Sequence, residues 1–222
     1  MAVVTVDFDG TLFQGNSFKV MFQAAQKDFN LKQWAVVGTG VIKAAVNGIF
    51  KGKQEFRISF FKAFAKSFKG KSETEMDEFF RKLVDIGRED IHHGLVQKIH
   101  EHQEQGDEII VLSGALHPFL TAFTREVNLH VHIISTELQY DKSGICTGEI
   151  GTVINGDEKV NKVQNWINDE SNLAGTVEVW AYADSLSDYP LFQFANHPIV
   201  VNPDDAMKKL AEKHNWPIFK SA

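Results

Sequence analysis

The sequence predicts an α/β fold: a parallel β-sheet with helices on both faces, carrying an inserted all-helical cap and a small β-hairpin. Three observations predict it. Five short apolar runs, "AVVTVDF", "DEIIVLSG", "LHVHIIST", "VEVWAYADS" and "HPIVVNP", alternate with segments of helical period, the pattern of buried strands covered by helices. Four of these runs end in small or polar residues, Asp7/Asp9, Ser113/Gly114, Ser135/Thr136 and Asp184/Ser185, and such sheets bind ligands beyond the carboxyl ends of their strands. About a hundred residues separate the first run from the second, whereas a strand-helix-strand crossover needs only ~30, so a further unit is inserted there.

Taken in order, the first run supplies a strand that ends at Asp7 and Asp9. The insertion, roughly Gln14 to His92, holds periodic segments near Phe18–Phe29, Leu31–Ile49, Gln54–Phe68 and Glu73–Ile86, which predict a four-helix cap over residues 14–92. Residues 1–13 and 93–222 then form the core, with His93 to Gln105 returning the chain to the sheet. Phe56, Phe60, Phe64 and Phe68 recur every fourth residue, with Phe61 beside them, and draw an apolar core stripe. Lys51, Lys53, Arg57, Lys62, Lys66, Lys69 and Lys71 stand against the single acid Glu55, a solvated basic face. "WAVVGTGVIKAAVNGIF" is the longest apolar stretch, but Lys43, Asn47 and three glycines interrupt it. It falls short of the ~20 residues of a membrane span and reads as a packed helix.

His92, His93, His100 and His102 lack a clean metal-binding spacing, and "HHGLVQKIHEHQEQG" reads as a surface-facing amphipathic helix. After Thr136, "LQYDKSGICTGEIG" alternates apolar and polar residues around "DKSG", which predicts a β-hairpin at the mouth or edge of the sheet.

Composition narrows the function. With 222 residues, 43% of them hydrophobic, the chain can bury one sizeable core plus a smaller unit without staples. The single cysteine, Cys146, excludes an internal disulfide framework and fits a reducing compartment. The N-terminal "MAVVTVDFDG" has no features of an export signal, so a cytoplasmic location is expected. A net charge of -6 argues against a dedicated nucleic-acid binder. A small molecule is the expected partner, with neither nucleic acid nor membrane; no oligomeric state is assigned.

The chemistry centres on "VVTVDFDGTLFQG". Residues i and i+2 of a strand share a face, so Asp7 and Asp9 project together while Phe8 turns into packing. Two adjacent carboxylates repel unless a cation or shared proton relieves them, and Mg²⁺ suits hard oxygen ligands. Gly10 and Thr11 follow as a turn whose N–H groups can face an anion. Singly, each feature has a plainer reading. Ser113 could be a strand-end cap, Lys159 a solvated lysine with Lys162 as competitor, and Asp184/Asp188 a helix-capping pair.

Four segments in order, "DFDGT" (Asp7 to Thr11), "VLSG" (Val111 to Gly114), "GDEKV" (Gly156 to Val160) and "YADSLSDYPLF" (Tyr182 to Phe192), resemble the four motifs of the haloacid dehalogenase superfamily of aspartate-nucleophile phosphatases. Within it, the chain is similar to the phosphoserine-phosphatase-like subfamily IB, whose endings its terminal "HPIVVNPD" and "NWPIF" also resemble. The resemblance implies a Rossmann-like core with a helical cap, and a Mg²⁺-dependent phosphatase acting on a small phosphorylated metabolite. It implies that Asp7 attacks phosphorus to form an aspartyl phosphate and that Asp9 is the general acid and base. Ser113 and Gly114 would bind phosphoryl oxygens, Lys159 would offset charge, and Asp7, the Asp9 carbonyl and Asp184 would hold the metal, with Asp188 reaching it directly or through water.

One position departs from the pattern. Where phosphoserine phosphatases carry a glutamate for the substrate ammonium, this chain has "FQGNSF" with Asn16 near that place. An amide cannot supply that charge, which disfavours phosphoserine. Asn16, Arg57, as a partner for a substrate carboxylate, and His117, four residues beyond Ser113, are the candidate substrate-selecting residues. A non-catalytic phospho-ligand-binding module, a phosphotransferase and a dehalogenase are the alternatives on the same fold.

Overall fold

In the computed structural model, residues 1–51, 53–169 and 177–220 are described, with the side chains of residues 44, 46–51, 53–55 and 57 outside that description. The five predicted strands are present: β1 (Val3–Val6), β2 (Glu108–Leu116), β3 (His132–Thr136), then, after a hairpin of β4 (Leu138–Tyr140) and β5 (Cys146–Ile150), β6 (Val179–Ala183) and β7 (His197–Val200). β1, β2, β3, β6 and β7 form one parallel sheet in the order β3-β2-β1-β6-β7. β1 is central and all four of its residues are buried. It therefore shows no alternation of polarity, and its β-branched Val-Val-Thr-Val suits a pleat covered on both faces.

Successive connections run outward from β1 through β2 to β3, then return across the sheet to β6 and β7. The strand order reverses between β1 and β6, where Val6 pairs with Tyr182. This switch point leaves a crevice at the carboxyl ends of the strands, and Asp7 and Asp184 emerge on its two sides.

Between β1 and β2 come α1 (Ser17–Asp28), α2 (Leu31–Lys51), α3 (Lys53–Ser67), α4 (Glu73–Ile86) and α5 (His93–Glu104). The predicted helical segments match the first four closely. Asn16 caps α1 by accepting from the Phe18 N–H, and Ser72 with Glu75 forms a capping box at the start of α4. Later come α6 (His117–Glu126), α7 (Asp157–Asp169), α8 (Tyr189–Phe194) and α9 (Asp205–His214).

The sheet separates two apolar layers. On one face Val4, Val6 and Phe8 pack with Leu95 and Ile99 of α5 and Phe119 and Phe123 of α6, continuous with the inserted helices through Phe60, Phe64, Phe68 and Phe80. On the other, Val3, Ala181 and Ala183 pack with Val163 of α7, Leu191 and Phe192 of α8, and Met207 of α9. Phe8 meets Phe119 and Phe123 edge-on, at 5.2 and 4.9 Å between ring centres. It thus turns away from its neighbours Asp7 and Asp9, as strand geometry requires.

Three expectations are refined. α2 packs through Val37 and, in part, Trp34 and Val41, while Leu31, Val36 and Ile42 on its other side are exposed. Its approach to α3 is close because Gly40 lacks a side chain; a Cβ there would lie 2.3 Å from that of Ala63. No helix of the described residues is long and apolar enough to cross a membrane. His93 at the start of α5 is exposed, but His92, which caps the helix, and His102 within it are buried. His102 follows Leu95 and Ile99 along the inward face, where it contacts Asp107 at 2.9 Å and the Tyr182 hydroxyl at 3.0 Å.

The hairpin, finally, is a separate two-stranded sheet lying against the inserted helices. Gly70 N–H donates to Cys146 O, Cys146 N–H to Lys71 O and Glu73 N–H to Gly144 O, so β5 and its turn are bonded to the α3–α4 connection. Cys146 is buried there.

Candidate active site

The first residues beyond β1 build the floor of the crevice. Asp7 still belongs to the sheet, its N–H donating to Tyr182 O at 2.8 Å, and the chain then turns sharply. Gly10 makes that turn at φ +83°, and a Cβ on it would lie 2.3 Å from Oδ2 of Asp184. Glycine is required twice over, for the positive φ and for the approach of the neighbouring carboxylate. The Thr11 hydroxyl donates to Asp184 Oδ1 at 3.3 Å.

The expectation that the Gly10 and Thr11 N–H groups face an anion is corrected. They are used inside the turn, Gly10 N–H on Phe13 O at 2.7 Å and Thr11 N–H on Phe8 O at 3.2 Å. The loop therefore shapes the site by placing Asp184 and offers the cleft no amide from these residues.

Lys159, in the first turn of α7, reaches across to this floor. Its ammonium lies 2.6 Å from Asp7 Oδ1 and 2.5 Å from Asp188 Oδ1, and it is 3% exposed. Lys162, its competitor in the sequence, instead approaches Glu158 at 3.8 Å. Asp188, also buried, accepts from the Ser185 hydroxyl through its other oxygen at 2.8 Å. Oxygens of Asp7, Asp184 and Asp188 lie within 4.8 Å of one another.

Electrostatics follow from that crowding. Burial, only partly offset by Lys159, pushes the Asp7 carboxyl well above the usual range, and Asp188 and Asp184 push the same way. Burial and the Asp188 charge raise Asp184 to about 6. Burial disfavours the Lys159 charge, yet Asp188 and Asp7 outweigh it and hold the ammonium above its ordinary value.

Asp9 stands half-buried at the same cleft. Its two oxygens accept from the Ser17 N–H at 2.8 Å and the Ser17 hydroxyl at 2.6 Å. Ser17 is fully buried at the start of α1, so a helix N-terminus holds this carboxylate. Sequence reasoning missed Ser17, although its position just after the Asn16 cap was a signal.

Ser113 and Gly114 line the cleft from β2, where the pairing with β3 shifts register between Leu112 and Leu116. The remaining walls are Phe18, Phe61, Ala115, Val153, Asn155, Ser185 and Ser187. Of the substrate-selecting candidates, Asn16 is exposed and engaged as the α1 cap. His117 lies outside the cleft, with its Nδ1 3.0 Å from both the Ser135 hydroxyl and a Glu137 oxygen. The Arg57 side chain lies outside the described residues.

Comparison with known proteins agrees with this architecture. The chain is 26% identical over 118 residues to a probable phosphatase of Mycobacterium tuberculosis, covering 53% of this chain and 40% of that protein. It is 24% identical over 121 residues to a phosphoserine phosphatase of Lactococcus lactis, covering 54% and 53%. The matches thus span about half or less of these relatives. A Bordetella pertussis protein of unknown function has the same fold at a TM-score of 0.77 and 20% identity, over 100% of this chain and 98% of that one. The family model for haloacid dehalogenase-like hydrolase matches residues 4–193, from β1 to α8 and across every cleft-lining carboxylate, and on that extent the chain belongs to the haloacid dehalogenase-like hydrolase family.

Proposed function

We propose that the protein is a Mg²⁺-dependent phosphatase that hydrolyses a small organic phosphomonoester through a phosphorylated Asp7. The observation that carries this reading is the Asp7 carboxylate, 2.6 Å from the Lys159 ammonium in a cleft it shares with Asp9 and Ser113. The names of the mycobacterial and lactococcal relatives support the reaction class.

The donor set fits a hard dication. Three carboxylates crowd within 4.8 Å around one ammonium, which leaves an excess of negative charge and only oxygen ligands. Asp7 and Asp184 would hold Mg²⁺, with the Asp9 carbonyl, and Asp188 directly or through water. When bound, the ion would offset the charge of the phosphoryl oxygens.

In the first step an Asp7 oxygen bonds to phosphorus as the bond to the leaving oxygen breaks, and Asp9 gives that oxygen its proton. Water then attacks phosphorus, Asp9 takes its proton, and inorganic phosphate leaves with Asp7 restored. Ser113 and Gly114 orient the phosphoryl oxygens, and Lys159 balances the charge on Asp7 throughout. Gly10 and Thr11 serve by fixing the turn and Asp184. Residues 14–92 act as a cap over a core of residues 1–13 and 93–222, excluding water during turnover. The single buried cysteine supports a cytoplasmic setting.

The test is phosphate release from an aryl phosphate with Mg²⁺, with EDTA, and with Asp7→Asn. Turnover is expected only in the first condition. Retained turnover in Asp7→Asn would overturn the mechanism, and tight phosphate binding without any turnover would favour a binding module.

A further inference from the structure

Resting on the phosphatase reading, we infer that the cleft selects a leaving group with a flat apolar face, an aryl or arylalkyl alcohol, and that Phe18 and Phe61 form the surface that selects it. Phe18 comes from the first turn of α1 and Phe61 from α3. Their rings stack with centres 4.7 Å apart at 24°, and both line the same cleft as Asp7 and Asp9. Phe60 abuts Phe18 at 4.5 Å and backs the pair. Ala115 and Val153 add apolar wall.

Charge in the described lining is confined to the reaction centre, where each carboxylate is already engaged. Asp7 and Asp188 face Lys159, Asp184 accepts from Thr11 and Asp9 from Ser17. An amino-acid leaving group would bring an ammonium against phenyl rings with no further acid among these residues to receive it, and stripping water from an unpaired charge is costly. A cage for a quaternary ammonium needs aromatic faces set apart around the cation. Phe18 and Phe61 lie against each other, the half-buried Phe18 offering the accessible face and the buried Phe61 supporting it. An aromatic ring gains both burial and stacking there.

The experiment compares kcat/KM, in Mg²⁺, for benzyl phosphate, ethyl phosphate, phosphoserine and phosphocholine. All four release alkyl alcohols, so intrinsic leaving-group reactivity contributes little to the comparison. Benzyl phosphate is expected to exceed ethyl phosphate and phosphoserine by about tenfold or more. Phe61→Leu and Phe18→Leu are each expected to lower the benzyl-to-ethyl ratio by about threefold or more. The ratio does not depend on how much of a variant folds. Preference for phosphoserine or phosphocholine, or a ratio unmoved in both variants, would overturn the inference while leaving the phosphatase reading intact. Absence of Mg²⁺-dependent phosphate release from these esters and from phenyl phosphate would remove the phosphatase reading itself.

Discussion

A methyl group placed on Gly10 would lie 2.3 Å from the Oδ2 atom of Asp184. The turn after β1 and the end of β6 are therefore fitted to each other with no room for a side chain, and the same turn requires a positive φ. Gly10→Ala is expected to lower stability by roughly 1–3 kcal/mol through the backbone penalty alone, and to displace Asp184. Chemical denaturation and Mg²⁺ titration measure the two effects; a variant with native stability and native Mg²⁺ affinity would contradict the fit.

Lys159 is the cation that Asp7 and Asp188 share. Replacing it with Met leaves buried carboxylates facing one another, and removal of one partner from a buried ion pair costs about 3–5 kcal/mol. The melting temperature of Lys159→Met should fall accordingly, with Mg²⁺ recovering part of the loss. Phosphatase kcat should fall by about 10²- to 10³-fold, the scale for removing one preorganised charge-stabilising donor.

The raised Asp184 carboxyl gives a pH dependence with a definite sign. With a folded pKa of about 6 above an unfolded value near ~3.9, the group adds stability at low pH and loses it as pH rises through about 6. Without metal, the stability difference between wild type and Asp184→Asn should therefore shift against wild type between about pH 4 and 6. Mg²⁺ competes with the proton for this oxygen, so calorimetric Mg²⁺ affinity should weaken below about pH 6. Affinity constant from pH 5 to 7.5 would contradict ligation by Asp184.

Ser17 holds Asp9 through its backbone and its hydroxyl. Ser17→Ala keeps the first contact and removes the second, a hydrogen bond to a charged group. On the order of a tenfold fall in kcat with little change in KM is expected if it orients the acid for chemistry. A rise in KM with kcat unchanged would instead assign Ser17 to ground-state binding.

The strands were legible because each is an unbroken apolar run bounded by polar residues, and the four inserted helices because their apolar residues recur at helical spacing. Contacts between distant segments were not. Nothing local to Gly10 announces that Asp184 will lie against it, so its N–H was read as an anion donor when the turn had already used it. Phe61 was read with the core stripe and is buried in it; that it also lines the cleft depends on contacts between helices that the stripe does not show. His102 likewise follows Leu95 and Ile99 at inward-facing spacing, a pattern its polarity obscured.

The bonds between the β4–β5 hairpin and the α3–α4 connection redraw the unit that would swing over the site. Gly70, Lys71 and Glu73 are joined to Gly144 and Cys146 through main-chain atoms, and Gly148 packs 3.3 Å from the Lys66 backbone, measured from where its Cβ would be. Opening the four helices alone would tear this seam, so any such motion would have to carry the hairpin with them. Such a motion would turn on four crossings of the chain, two flanking the helices and two flanking the hairpin, and the last pair would join β3 directly to the stretch that delivers Lys159.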